Sequence, residues 1–180
     1  MPPSTPIPDS YWVVPNRLLA GQYPGSHDSK RARKQLAKFL DAGIRTFIDL
    51  TEHDELEPYE RWLSELARER GVECRHLRYA ITDMDVPDAE LLERILGVID
   101  EELAAGRPVY VHCWGGVGRT GTIVGCWLVT QGATGDEAIR RIAKLRAGTP
   151  DRARRSPETE AQRRLVRNAK FSTRRIGQLP

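Results

Sequence analysis

The chain has no run of apolar residues long enough to cross a bilayer. Its first residues, Met1-Pro2-Pro3-Ser4-Thr5-Pro6, carry neither the basic nor the apolar stretch of a secretory leader. Cytoplasmic residence without a membrane partner is the expectation. Cysteine is scarce: there are three, an odd number, without the spacing of a metal site or a disulfide framework. That suits a reducing compartment and points to no metal. Cys74 and Cys126 fall in apolar patterns and read as small core residues. Aromatic residues are 7% of the chain and do not interleave with the basic residues of its last third, so the stacking platform of a nucleic-acid binder is missing. What is present, 39% hydrophobic and 29% charged residues over 180 positions, fits one globular domain with its own core.

The net charge of +3 hides a division. Residues 140–180 hold 13 basic against 3 acidic side chains, and the rest of the chain 15 against 22. A basic C-terminal third can attract anionic partners, acidic phosphopeptides among them, or can simply be a solvated helix face and tail.

Along the chain, the Pro-rich start gives a flexible lead-in over 1–10. Tyr11 to Val14 and Arg17 to Ala20, split by Pro15-Asn16, predict a hairpin. A basic amphipathic helix follows over 29–41 with Leu36, Phe39 and Leu40 inward, then a buried strand over 44–50. Next come a helix over 55–70 with Trp62, Leu63 and Leu66 inward, a strand over 72–79, and a helix over 88–104 capped by Asp88. Val109 to Val111 is a strand and 120–129 a helix. Thr134 and Glu137 form a capping box, and Ser156-Pro157-Glu158 looks like the start of a last helix reaching about residue 169. Strands alternating with helices predict an α/β fold in three layers, a mostly parallel central sheet with helices on both faces and the hairpin at an edge. One domain is expected over 11–172, with a tail over 173–180.

The stretch His112-Cys113-Trp114-Gly115-Gly116-Val117-Gly118-Arg119-Thr120 lies where a strand hands over to a helix. The first N–H groups of a helix have no internal partner, and the helix dipole adds partial positive charge there, so the loop is an anion site. Three glycines let the backbone curl with its N–H groups inward. Arg119 adds a planar two-pronged donor for phosphate oxygens. The same field favours a thiolate, which makes Cys113 a nucleophile. Trp114, Gly115, Gly116, Val117 and Gly118 would supply the phosphate-binding backbone. Expelling an alkoxide or phenoxide also needs a proton donor, and Asp83 and Asp85 follow the strand ending near Tyr79. If that strand lies beside the one ending at Val111, both loops emerge at the carboxyl edge of the sheet, where open α/β sheets bind ligands.

His-Cys-x5-Arg-Thr, from His112 to Thr120, resembles the signature loop of the cysteine-based protein tyrosine phosphatases and is most similar to their compact dual-specificity branch. The hairpin region is similar to that of compact bacterial members. In that family a mobile acid loop precedes the signature loop and often reads Asp-x-x-x-Pro; Asp83 and Pro87 match, which favours Asp83 over Asp85 as the acid. The resemblance implies that Thr120 bonds the departing thiolate and that His112 orients the loop. It also implies that Gln162 places the hydrolytic water, against the plainer reading of an exposed helical Gln. The implied reaction passes through a phosphocysteine and requires no cofactor. The signature loop carries no Lys or further Arg between Cys113 and Arg119, as family members acting on inositol phosphates often do, so a phosphorylated protein or peptide is the expected substrate, phosphotyrosine first and phosphoserine or phosphothreonine after it. Phosphate and similar oxyanions would inhibit at the loop. Two alternatives remain open at this point: a phospho-residue binding module without turnover, and a phosphatase of a non-protein ester such as a phosphoinositide.

Overall fold

The computed structural model describes residues 3–171; the expected tail, the last residue of the expected domain and the start of the lead-in lie outside them. Five short strands, β1 (Ser10–Val14), β2 (Leu18–Gly21), β3 (Thr46–Asp49), β4 (Arg75–Arg78) and β5 (Val109–His112), form one sheet in the order β1-β2-β5-β3-β4. β1 and β2 pair antiparallel as a hairpin at one edge; every other pairing is parallel. Among the described residues six α-helices cover it: α1 (Ser29–Asp41), α2 (Glu60–Glu69), α3 (Ala89–Ala104), α4 (Arg119–Thr130), α5 (Gly135–Leu145) and α6 (Glu160–Asn168).

Side-chain alternation along β5 explains the three layers. Val109 and Val111 face one core with Ile95 and Ile99 of α3, Ile123 and Trp127 of α4, Ile142 of α5 and Val166 of α6. Tyr110 faces the other with Leu36 and Phe39 of α1 and Leu63 and Leu66 of α2. β5 is buried on both faces, as its unbroken apolar run requires. On α3, Glu102 is an enclosed carboxylate that binds Thr46 of β3, Arg75 of β4 and Arg107. α6 and the segment before it lie close on α4, because Gly121 and Gly125 present no side chain there: a Cβ at Gly121 would run into Ser156 Oγ, and one at Gly125 would stand 2.8 Å from a Val166 methyl. No helix among the described residues is long and apolar enough to cross a membrane.

Three expectations need correction. The second helix starts at Glu60 rather than residue 55, since Pro58 biases its predecessor out of helix and Asp54 takes φ +64°. Residues 51–59 are therefore an ordered loop after β3. The strand expected over 72–79 shrinks to β4, at the far edge beside β3 rather than beside β5. The last helix is capped by Thr159, in a capping box with Gln162, while Ser156 Oγ donates to the Val117 carbonyl instead. Trp62 packs against the second core as expected but is only half-buried, with the guanidinium of Arg61 5.0 Å and that of Arg33 5.8 Å from its ring. Cys126 is fully enclosed and Cys74 partly so, and burial pushes both thiols up to about 12.

Candidate active site

β5 is flanked on both sides by parallel neighbours, so the loops after β3, β4 and β5 all emerge at one carboxyl edge. This meets the geometric need although β3 separates β4 from β5. Cys113 follows the last residue of β5, and α4 begins at Arg119 with no side-chain cap on its N-terminus. Among the described residues, no N–H from Trp114 through Arg119 donates to a protein acceptor, which leaves the loop's donors available to an anion. Gly116 takes φ +68°, and a Cβ there would stand 2.2 Å from the Gly21 carbonyl carbon, so only glycine lets the loop pass behind β2. The loop walls a cavity of about 90 Å³ that is also lined by Asp83, Met84, Cys113, Arg119, Arg154 and Glu158.

Arg119 is 1% exposed and grips the loops on either side. Its Nη1 and Nη2 donate to the two oxygens of Glu55 at 2.8 and 2.6 Å, Nη1 donates to the Ile81 carbonyl at 3.1 Å, and Nη2 stands 3.0 Å from Asp83. Nε has no partner among the described residues. Burial opposes charge on both Arg119 and Glu55, but their mutual bonds outweigh it, raising the arginine above its ordinary value and lowering the carboxyl below its own.

The two aspartates are placed differently. Asp83 is half exposed and meets Arg119. Asp85 turns its carboxylate onto the Val86 N–H, and its carbonyl accepts from Gln162 Nε2 at 3.0 Å. Gln162 is fully buried rather than exposed: its Oε1 accepts the N–H groups of Glu158 and Thr159, and its amide lies 3.0 to 3.1 Å from where a Gly118 Cβ would be. α6 is thereby joined to both the acid loop and the cysteine loop.

Behind the loop, His112 is fully buried. The Cys113 carbonyl can only accept, so Nδ1 of His112 is the protonated nitrogen facing it at 3.2 Å, and Nε2 accepts from the Tyr59 hydroxyl at 2.6 Å. Burial holds the imidazole below its ordinary value, outweighing the Asp49 carboxylate, so the ring is a neutral brace. Thr120 Oγ1 is buried with no hydrogen-bond partner among the described residues.

Glu55, Tyr59 and Arg154 were not legible beforehand. Arg154 lines the cavity, its Nη1 3.4 Å from where a Gly115 Cβ would be, and is held by Asp151 and Glu158. Arg146 is buried and donates to the carbonyls of Arg154 and Asp151. Arg163 and Arg167 pair with Glu160, and Arg167 also with Asp136. The three acidic side chains of the last third are thus paired within it, and Asp136 of α5 adds a partner from outside. The one legible trace of Glu55 was its place in a polar, Pro-terminated segment after a buried strand.

Residues 22–133 match a family model described as "Polymorphic toxin system, DSP-PTPase phosphatase". Phosphatidylglycerophosphatase and protein-tyrosine phosphatase 1 of Rattus norvegicus is 30% identical over 142 residues, 77% of this chain and 68% of that protein. Tyrosine-protein phosphatase CDC14 of Saccharomyces cerevisiae is 32% identical over 75 residues, 41% of this chain; the chain spans 14% of that relative's length. Among solved structures, Tk-PTP in its active form superposes with a TM-score of 0.68 at 25% identity, covering 90% of this chain and 96% of that one. PTPMT1 in complex with PI(5)P gives 0.62 at 25% identity, covering 87% and 92%.

Proposed function

Because the chain belongs to the DSP-PTPase phosphatase family, we propose that it hydrolyses phosphate monoesters on proteins, phosphotyrosine foremost, through a phosphocysteine. The observation that carries this reading is the convergence on one small cavity of Cys113, an uncapped helix start with free loop amides, Arg119 and Asp83. The Cys113 thiolate attacks phosphorus in line while the loop N–H groups and Arg119 hold the equatorial oxygens. The P–O bond to the leaving group breaks as Asp83 delivers its proton to the departing oxygen. Phosphate arriving on the loop competes with Asp83 for Nη2 of Arg119, which frees that carboxylate to take up a proton from solvent and turn toward the leaving oxygen, while Glu55 keeps the guanidinium in place. In the second step, water gives its proton to Asp83 and attacks phosphorus, and the thiolate departs toward the unpaired hydroxyl of Thr120. Gln162 retains one Nε2 hydrogen beyond the bond to Asp85, enough to orient that water.

A non-protein ester is the second reading, since the names of two relatives carry a phospholipid phosphatase and a phosphoinositide complex. Among the described residues the arginines lining the cavity are Arg119 and Arg154, and Arg154 is paired to two carboxylates, which gives a poly-phosphorylated headgroup little to hold. The test is release of p-nitrophenol from p-nitrophenyl phosphate in chelator by the wild-type protein, beside Cys113→Ser. Turnover by the former and its loss in the latter, with vanadate binding retained, is expected. Tight oxyanion binding without any turnover by the wild type would make the protein a binding module, and more than a few per cent activity in Cys113→Ser would remove the nucleophile assignment.

A further inference from the structure

Among the described residues, the large apolar side chains left exposed are Met84, at 51%, and Trp114, at 57%. Both line the cavity that holds Cys113 and Arg119. Single apolar side chains scattered over a surface need no explanation. Two that come from separate loops and line the one cavity that also holds Cys113, Arg119 and Asp83 do.

Backbone hydrogen bonds hold both loops in position. The Trp114 carbonyl accepts the Tyr23 N–H at 3.0 Å, and Gly115 and Gly116, which follow it, offer no side chain to cover the indole. Met84 rides on a turn closed by the Asp85 N–H and the Thr82 carbonyl at 3.1 Å. Its φ of +64° is a conformation that a long side chain adopts only at a cost, so the turn is built to present it. Asp83 of the same turn meets Arg119, which ties the position of Met84 to that of the proposed proton donor.

We infer that Trp114 and Met84 are specificity residues that grip the aryl part of a phosphate monoester and so select phosphotyrosine over phosphoserine and phosphothreonine. The inference rests on the phosphatase reading and narrows its substrate class. With the phosphate on the loop amides, the indole and the thioether are the exposed large apolar surfaces of the cavity that the leaving group can meet. A phenyl ring gains an aromatic contact with the one and a sulfur contact with the other. A serine or threonine side chain ends before it covers either.

The test compares one peptide sequence carrying phosphotyrosine or phosphoserine, with wild type, Trp114→Ala, Trp114→Phe and Met84→Ala. Each variant is read as the ratio of its kcat/KM to that of wild type on the same peptide, so the different intrinsic reactivity of the two esters cancels. Trp114→Ala should lose about tenfold more on phosphotyrosine than on phosphoserine, Met84→Ala about threefold more, and Trp114→Phe should keep most of the preference. Phenylphosphonate and methylphosphonate, neither of which is hydrolysed, supply a binding readout on Cys113→Ser: adding Trp114→Ala should weaken the phenyl compound several-fold more than the methyl one. That second arm survives if the protein proves unable to turn over, so failure of the phosphatase reading and failure of the rim are told apart. Equal losses on both peptides and both phosphonates would reduce Trp114 and Met84 to loop supports. A loss confined to phosphatidylinositol phosphate in vesicles would make the rim a membrane anchor, and either result overturns the proposal.

Discussion

Replacing Glu55 by Gln tests whether Arg119 is positioned by its carboxylate partner or by its carbonyl contacts. The substitution keeps size and removes charge; it leaves one acceptor oxygen and turns an NH2 group toward a guanidinium that can only donate. Removing one partner of a fully buried pair costs about 3–5 kcal/mol. Here Glu55 is 20% exposed and Arg119 retains Asp83 and the Ile81 carbonyl, so a loss of about 2 kcal/mol is the better figure. For a chain of this length that lowers Tm by about 4–8 °C. The larger effect falls on rate: a misplacement of about 1 Å in a group that holds the transferring phosphoryl can cost about 100-fold. kcat should therefore fall about 10- to 100-fold, with vanadate binding weakened in step, and Glu55→Asp should recover part of both. The assay is p-nitrophenyl phosphate kinetics beside vanadate titration and a thermal melt. If Glu55→Gln melts lower yet keeps kcat/KM and vanadate affinity within about twofold, the carboxylate is a stability element only and Arg119 is aimed by the carbonyls.

Asp83→Ala should lose about 10²- to 10⁴-fold on phosphotyrosine and less on an aryl ester whose phenol leaves readily, whereas Asp85→Ala should show no such dependence on the leaving group; the reverse pattern would exchange the two residues. Mild peroxide should inactivate the protein, with thiol restoring it and vanadate protecting it; since burial pushes Cys74 and Cys126 up to about 12, inactivation that vanadate leaves unchanged would refute attack at Cys113. Glu102, bound first by Arg107 against the opposing cost of burial and then by Thr46 and Arg75, is held at about 2 against an ordinary 4.5, so its contribution of about 3 kcal/mol is present above pH 4.5 and fades as pH falls toward 2. Denaturant melts across that interval should show a steeper decline in wild type than in Glu102→Gln, and parallel declines would sink the assignment. Gln162→Ala should slow breakdown of the phosphocysteine more than its formation, read as a larger initial burst of p-nitrophenol; an unchanged burst with a lower Tm would leave Gln162 a structural tie.

How much could be read in advance followed the range of the interactions. The helices at 29–41 and 88–104 and the capping box at Thr134 were legible because their signals are local: caps, stops and a period of about 3.6 residues. Cys113 and Arg119 were legible because a strand, a glycine-rich loop and a helix start sit next to one another in sequence. Strand order was not, because parallel neighbours carry no mark of adjacency in a single chain: β4 went beyond β3 with no change in its own pattern. Glu55 escaped for the same reason, a carboxylate in a polar loop whose partner stands 64 residues away. The burial of Gln162 was not legible, since helical spacing cannot tell a solvated amide from one buried under a neighbouring loop. Ser156 read as a cap because Ser-Pro-Glu has that form, while its hydroxyl was committed to the Val117 carbonyl.

The central place of β5 sets which amide protons this protein can exchange with solvent short of unfolding. β1 and β4 each have one unpaired edge, and β4 is partly exposed, so their amides can exchange through fraying that leaves the rest of the sheet closed. Those of β5 are paired to β2 on one side and β3 on the other, and opening them separates the hairpin from the β3–β4 pair. Val109 to Val111 should therefore exchange only at the rate of global opening, and a partly opened form populated in mild denaturant should keep the backbone that carries Cys113 after it has shed β4 and the acid loop. Such a form would hold an oxyanion and have no means of protonating a leaving group.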